Sequence, residues 1–226
     1  MSSPLPDEER PRARVVDHSA EMRVYGDIQS GNCYKIRLLL AHLGRKPGSD
    51  YDWVHIDILA GETRTPEFLA RNPNGRIPVL ELDDGRYLSE SNAILNYLAA
   101  DTPYLRDEPY VRAEVLKWQF FEQYSHEPYI ATARFIAKYL GLPDDRRAEY
   151  DAKQAGGNAA LSVLEGRLAV SDFLVDDQLT IADITLYAYT HVADEGGFDL
   201  SRYPAVQRWL TRVSDHPAHV TMNDPV

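Results

Sequence analysis

The chain holds a single cysteine, Cys33, among 226 residues. One thiol cannot close an internal disulfide and cannot supply a multi-cysteine metal site, and the expectation is a reducing, cytoplasmic setting. Basic charge is scarce. Against 35 acidic residues stand 24 lysines and arginines, a formal net charge of -11. That balance argues against a general nucleic-acid or anionic-membrane surface and leaves room only for a local basic pocket. No apolar run approaches a membrane span. Residues 1–21 lack an apolar h-region and begin rich in proline, serine and charge, so they read as a disordered extension and not as a secretory signal. His216 and His219 stand at i, i+3 across Pro217, with no acidic or cysteine companion. No metal is expected there.

What remains is ordinary for a globular chain: 44% apolar and 26% charged residues. The length suffices for one large or two small domains with a sizeable core. Asn72-Pro73-Asn74-Gly75-Arg76-Ile77-Pro78 leads into the apolar pair Val79-Leu80. A proline at that boundary opens a strand, because it has no N–H for the ladder, and an X-Pro bond adopts cis at modest cost. A cis turn would leave the Ile77 backbone as an extended edge able to pair with a short peptide. Further on, Asp84-Gly85 closes a hairpin, and Glu90-Ser91 opens a helix with Ser91 as the expected N-cap. Helix N-termini favour carboxylates. A peptide edge beside a helix end suggests a site for a small anionic peptide.

Around this stretch, residues 22–25 read as a strand. Ile36, Leu39, Leu40 and Leu43 mark one apolar helical stripe, ended by Gly44. Residues 51–57 alternate as a strand, 79–82 and 86–88 form the hairpin, and 91–100 form a helix with Ile94, Tyr97 and Leu98 inward. The order βαβ then ββα implies an α/β, thioredoxin-like half with a mixed sheet over 22–101. Residues 102–109 read as a linker, and strand signals vanish beyond it. The remainder, 110–226, reads as all-α: 111–140 interrupted at Glu127-Pro128, 146–170 with Gly156-Gly157 inside, 180–192, and 204–213. Thr180-Ile181-Ala182-Asp183 is a capping box with Asp in place of Glu.

The runs 72–78, Glu90-Ser91 and Ser30-Gly31-Asn32-Cys33-Tyr34-Lys35 together resemble the glutathione-binding domain of cytosolic glutathione transferases, in an order that fits bacterial members. The likeness extends over residues 22–215. It implies glutathione as co-substrate, a homodimer, and an active-site loop of serine or asparagine type. Ser30 matches the position of the catalytic hydroxyl in serine-type relatives, and Asn32 stands where many of those have proline. Another bacterial class uses an asparagine there, so both Ser30 and Asn32 are candidates for holding the thiolate. Cys33 falls at the position of a buried core cysteine.

The resemblance further implies that Ile77 pairs its backbone with the cysteinyl part of glutathione, next to a cis Pro78. Glu90 would take the γ-glutamyl ammonium, and the Ser91 N–H and hydroxyl the carboxylate. Arg76 would meet a carboxylate, and Asn92 stands where some relatives place a basic residue. A hydrophobic electrophile would sit against the helical half, at Phe121, Tyr124 and His126. The expected function is transfer of glutathione to such an electrophile. The alternatives are reduction of a disulfide or peroxide on the same scaffold, or a non-catalytic adaptor.

Overall fold

The computed structural model describes residues 22–226, and the extension expected over 1–21 lies outside them. The first half is β1 (Arg23–Gly26), α1 (Gly31–His42), β2 (Asp52–His55), α2 (Pro66–Arg71), β3 (Val79–Glu81), β4 (Tyr87–Ser89) and α3 (Ser91–Leu98). The sheet order is β2-β1-β3-β4. β1 runs parallel to β2, with Val24 opposite Trp53, and antiparallel to β3, with Val24 opposite Leu80. β3 and β4 form the antiparallel hairpin around Gly85, whose φ of +80° explains the glycine. This is the mixed thioredoxin-like sheet that the strand and helix order implies.

The second half is helical: α4 (Pro109–Phe121), α5 (Glu127–Arg134), α6 (Arg147–Leu168), α7 (Ile181–Thr190) and α8 (Pro204–Ser214). Two π-helical turns, Glu122–His126 and Phe135–Tyr139, flank α5. The first explains the break at Glu127-Pro128. Pro128 has no N–H to donate and its ring crowds the preceding turn, so the ladder widens just before it. Gly156 and Gly157 admit close packing: a Cβ on Gly156 would come within 2.2 Å of the Tyr129 ring, and one on Gly157 within 2.2 Å of Phe198. Among the described residues, no helix is long and apolar enough to cross a membrane.

One expectation needs correction. The apolar stripe on α1 predicted a helix with one buried face, yet ten of its twelve residues are buried, Lys35 and Arg37 included. The reason is tertiary. α1 packs against α3 on one side and α7 of the helical half on the other. A helix between two layers has no solvent face, so its polar side chains must find partners inside. Tyr97, expected inward, is only half-buried, while Ile94 and Leu98 are buried as expected.

Candidate functional site

The N-termini of α1 and α3 open on one cleft of about 750 Å³ between the two halves. Ser30, Asn32, Arg76, Ile77, Pro78, Glu90 and Ser91 all line it, so residues 60 positions apart in sequence share one wall. The loop before Pro78 is built by Asn72. Its amide donates to the Arg76 carbonyl at 2.7 Å and accepts from the Asn74 N–H at 3.1 Å. Gly75 provides the positive φ of 61° that this tight turn requires. The Ile77–Pro78 bond is cis. Glu90, with φ 68°, precedes α3 as its cap residue, and Ser91 is the first helical residue rather than the cap. A non-glycine residue in that region costs about 1–3 kcal/mol, and such strain clusters at functional sites.

Ser30 caps α1. Its hydroxyl accepts from the Cys33 N–H at 3.5 Å, which leaves its own proton for another acceptor. Gly31 lies under the Tyr189 ring from α7, where a Cβ would come within 2.6 Å. Cys33 is fully buried, and burial pushes its thiol up to about 12. A neutral thiol away from the cleft is no nucleophile, in keeping with a core cysteine.

Asn32 stands at the centre of a polar network. Its Oδ1 accepts from Lys35 Nζ at 2.8 Å and from the Ser91 hydroxyl at 3.0 Å. Its Nδ2 donates to Glu127 Oε1 at 2.8 Å, bridging the two halves. Lys35 Nζ also donates to Ser91 Oγ at 3.3 Å and pairs with Glu122 Oε1 at 2.8 Å, both charged side chains being wholly buried. The Ser91 hydroxyl, expected on a ligand carboxylate, is therefore bonded inward, and its backbone N–H at the helix terminus is the group presented to an anion.

Four expected site residues do not line the cleft. Asn92 points into the seam between the halves, where its Oδ1 accepts from Thr185 at 3.0 Å and its Nδ2 donates to Glu122 at 3.2 Å. His126 is fully buried, with Nε2 at 2.9 Å from the Thr190 hydroxyl. Burial, with the charge of Lys35, depresses it to about 3. Phe121 packs edge-on against Trp118, and Tyr124 is 86% exposed to solvent. From the segment that begins with the π turn, Gln123 and Glu127 reach the cleft instead, followed by Pro128, Ala131, Thr132 and Phe135. Sequence reading missed Lys35, Glu122 and Glu127. The i, i+3 spacing of Asn32 and Lys35 on one helix was a usable signal for the first; the two glutamates are brought in only by the tertiary fold.

A thioredoxin-like sheet, a helical half and a cleft between them at which two helix N-termini open define the class: a two-part fold with its cleft at the domain seam. The chain matches the family models for Glutathione S-transferase, N-terminal domain, over residues 20–100, and Glutathione S-transferase, C-terminal domain, over residues 117–217. It belongs to the glutathione S-transferase family. Among solved structures it is similar to a glutathione S-transferase from Pseudomonas fluorescens, at 60% identity and TM-score 0.87, covering 90% of this chain and 99% of that one. It is also similar to the glutathione transferase URE2P6 from Phanerochaete chrysosporium, solved in complex with oxidized glutathione, at 26% identity and TM-score 0.77, covering 87% and 92%. The disulfide-bond oxidoreductase YfcG of Escherichia coli is 31% identical over 194 residues, covering 83% of this chain and 87% of that protein.

Proposed function

We propose that the chain is a glutathione transferase with an active-site loop of asparagine and serine type. Glutathione lies along the cleft with its cysteinyl backbone on Ile77 beside Pro78. Glu90 takes the γ-glutamyl ammonium, the Ser91 N–H takes the γ-glutamyl carboxylate, and Arg76 takes the glycyl carboxylate. The sulfur sits at the N-terminus of α1, between Asn32 Nδ2 and the Ser30 hydroxyl. The observation that carries this reading is the fixed Asn32 amide, its oxygen held inward so that its N–H₂ faces the cleft.

The energetics are adequate. A free thiol is little ionised at neutral pH, and lowering its pKa by about two units takes roughly 2.7 kcal/mol. A hydrogen bond to a charged acceptor contributes about 1.5–3 kcal/mol, and a helix N-terminus about 0.3–1 kcal/mol. One or two donors at the start of α1 are enough. The thiol proton passes to solvent. The thiolate then attacks the electrophile, the new C–S bond forms, and the leaving group departs with the displaced electron pair. Ala131, Pro128 and Phe135 supply apolar surface for the electrophile.

A second reading is glutathione-dependent disulfide reduction. The polar groups Gln123, Glu127 and Thr132 on the far wall favour it, because they suit a second peptide better than a bare hydrophobe. In that reaction the thiolate attacks a disulfide sulfur, one thiolate leaves, and a second glutathione resolves the mixed disulfide. We further propose a homodimer in the cytoplasm, with the exposed Leu116 and Phe120, at i, i+4 on α4, and the exposed Tyr124 in the π turn that follows, at the subunit interface.

The test is an ultraviolet titration of the thiolate of bound glutathione, in the native protein and in Ser30→Ala and Asn32→Ala. The expected result is a bound thiol near pKa 6–7, returning toward about 8.5 when the activating side chain is removed. A native protein with no saturable glutathione signal refutes the enzyme and leaves the adaptor. Turnover with a chloroaromatic electrophile against turnover with a mixed glutathione disulfide then separates the two reactions.

A further inference from the structure

Lys35 is a lysine with no exposed surface, paired with a glutamate that has none either. Such a pair adds little to stability. Replacing a buried ion pair by well-packed apolar side chains is often neutral or favourable. Its use has to be sought in what its donors touch. A lysine ammonium has three N–H donors and no acceptor. Here they are divided among Glu122 Oε1, Ser91 Oγ and Asn32 Oδ1. Two of the three thus end on residues that line the glutathione cleft.

The consequence falls on Asn32. A carboxamide can sit in either of two orientations, related by a half-turn that exchanges oxygen and N–H₂. In the observed one, Oδ1 meets the ammonium and the Ser91 hydroxyl, and Nδ2 meets the Glu127 carboxylate. In the other, an N–H₂ would face an ammonium and an oxygen would face a carboxylate, so both charged contacts would be repulsive, while the Ser91 hydroxyl can donate or accept and does not discriminate. Glu127 accepts one Nδ2 proton, and among the described residues no second acceptor takes the other. That proton is the one left for a sulfur anion in the cleft. Glu122 in turn is held by Asn92 Nδ2 at 3.2 Å and Gln123 Nε2 at 2.9 Å, so the ammonium is anchored from the helical half.

We propose that Lys35, clamped by Glu122, is the positioning residue that orients the Asn32 carboxamide, directing its free N–H at the glutathione sulfur and polarising it through the oxygen. Lys35 touches neither glutathione nor the reacting atoms; it acts through Asn32. The pair also makes thiolate stabilisation depend on docking of the two halves, because Lys35 and Asn32 belong to α1 and Glu122 to the π turn after α4. This proposal rests on the glutathione reading above.

The experiment removes both charges at once, in Lys35→Met/Glu122→Gln, so that no unpaired ion is left buried. The readouts are the thiolate titration of bound glutathione and, separately, the affinity for S-methylglutathione, which has no thiol to ionise. The expected result is a thiol about one unit less acidic, hence about tenfold less thiolate below that pKa, with S-methylglutathione affinity unchanged. In an Asn32→Ala background the same pair of changes should add nothing.

A native-like titration in the double variant overturns the proposal. An equal shift in the Asn32→Ala background also overturns it, since Lys35 would then act on the sulfur as a charge through space. Lys35→Gln/Glu122→Gln keeps hydrogen-bonding capacity without charge and is read the same way should the methionine variant fail to fold; a smaller shift of the same sign is expected, and no shift refutes. Absence of any thiolate signal in the native protein would instead overturn the glutathione reading itself, so the two failures are distinct.

Discussion

Asp183 should be the most costly single polar side chain to remove from the helical half. It is fully buried at the start of α7. Its Oδ2 accepts from the Thr180 N–H at 3.0 Å and the Thr180 hydroxyl at 3.1 Å, and its Oδ1 from the Leu174 N–H and the Trp209 indole N–H, both at 3.0 Å. It therefore closes the capping box of α7 and also ties the preceding loop and α8 to it. Asp183→Ala strips the acceptor from three donors that cannot turn away. At about 1–3 kcal/mol for each buried unsatisfied group, the gross loss is roughly 3–9 kcal/mol. Part is recovered. Burial pushes the carboxyl up to about 6 against those same donors, so keeping it ionised at neutral pH costs on the order of 3 kcal/mol. A net loss of about 3 kcal/mol remains, which for a chain of this length lowers Tm by roughly 6–12 °C. Thr180→Ala, which removes only the cap hydroxyl, should cost about 0.5–2 kcal/mol. Urea denaturation at neutral pH, followed by tryptophan fluorescence, measures both. A loss below about 1 kcal/mol for Asp183→Ala, or one no larger than that of Thr180→Ala, would show that water or a local shift satisfies the three donors and that the reasoning is wrong.

Stability should fall on mild acidification. Burial lowers His126 to about 3 and His42 and His191 to about 4, so the unfolded chain binds more protons than the folded one once pH drops below the ordinary histidine value. The loss begins near pH 6.5 and deepens toward 4, and the raised Asp183 opposes it, because that group favours the folded state as pH falls through about 6 toward 3.8. Three groups against one leave a net slope that reaches about 3 kcal/mol per pH unit near pH 5.5, and a Tm that is flat or rising between neutral pH and about 5 would contradict it. Phe120→Arg, on the exposed α4 face, should convert the proposed dimer to monomer in sedimentation velocity. A native monomer, or a variant of unchanged mass, removes the proposed interface.

Much of the cleft was legible because its chemistry is local. Pro78 after an Asn-rich turn, Asp84-Gly85 between two short strands, and Ser30 before a helical run each carry their conformation in their own covalent structure. The capping box at Thr180 and the paired glycines 156 and 157 belong to the same kind. What was not legible was facing. Tyr124 and His126 sit in a π turn, where a shift of one residue in the ladder turns a side chain by about 100°, and Phe121 ends the helix just before it. Asn92 sits one position along α3 from Ser91, and the same angular step carries it from the cleft into the seam between the halves. The stripe on α1 could announce one apolar face but could not announce that a second layer covers the other.

By itself, the sequence determined the order of strands and helices, the main turns, the Ser30 and Thr180 caps, and the presence of unpaired backbone N–H groups at two helix starts. Proline, glycine, asparagine and capping hydroxyls act over a few bonds, so their consequences do not wait for the fold. Only the tertiary structure decided that Lys35 is buried, that Glu122 reaches Lys35 across 87 positions of chain and Glu127 reaches Asn32 across 95, and that the Asn32 amide is thereby held in one orientation. Those contacts join two halves that fold around separate elements. Charge and hydrogen-bond partners at that separation are chosen by packing, which no local pattern encodes.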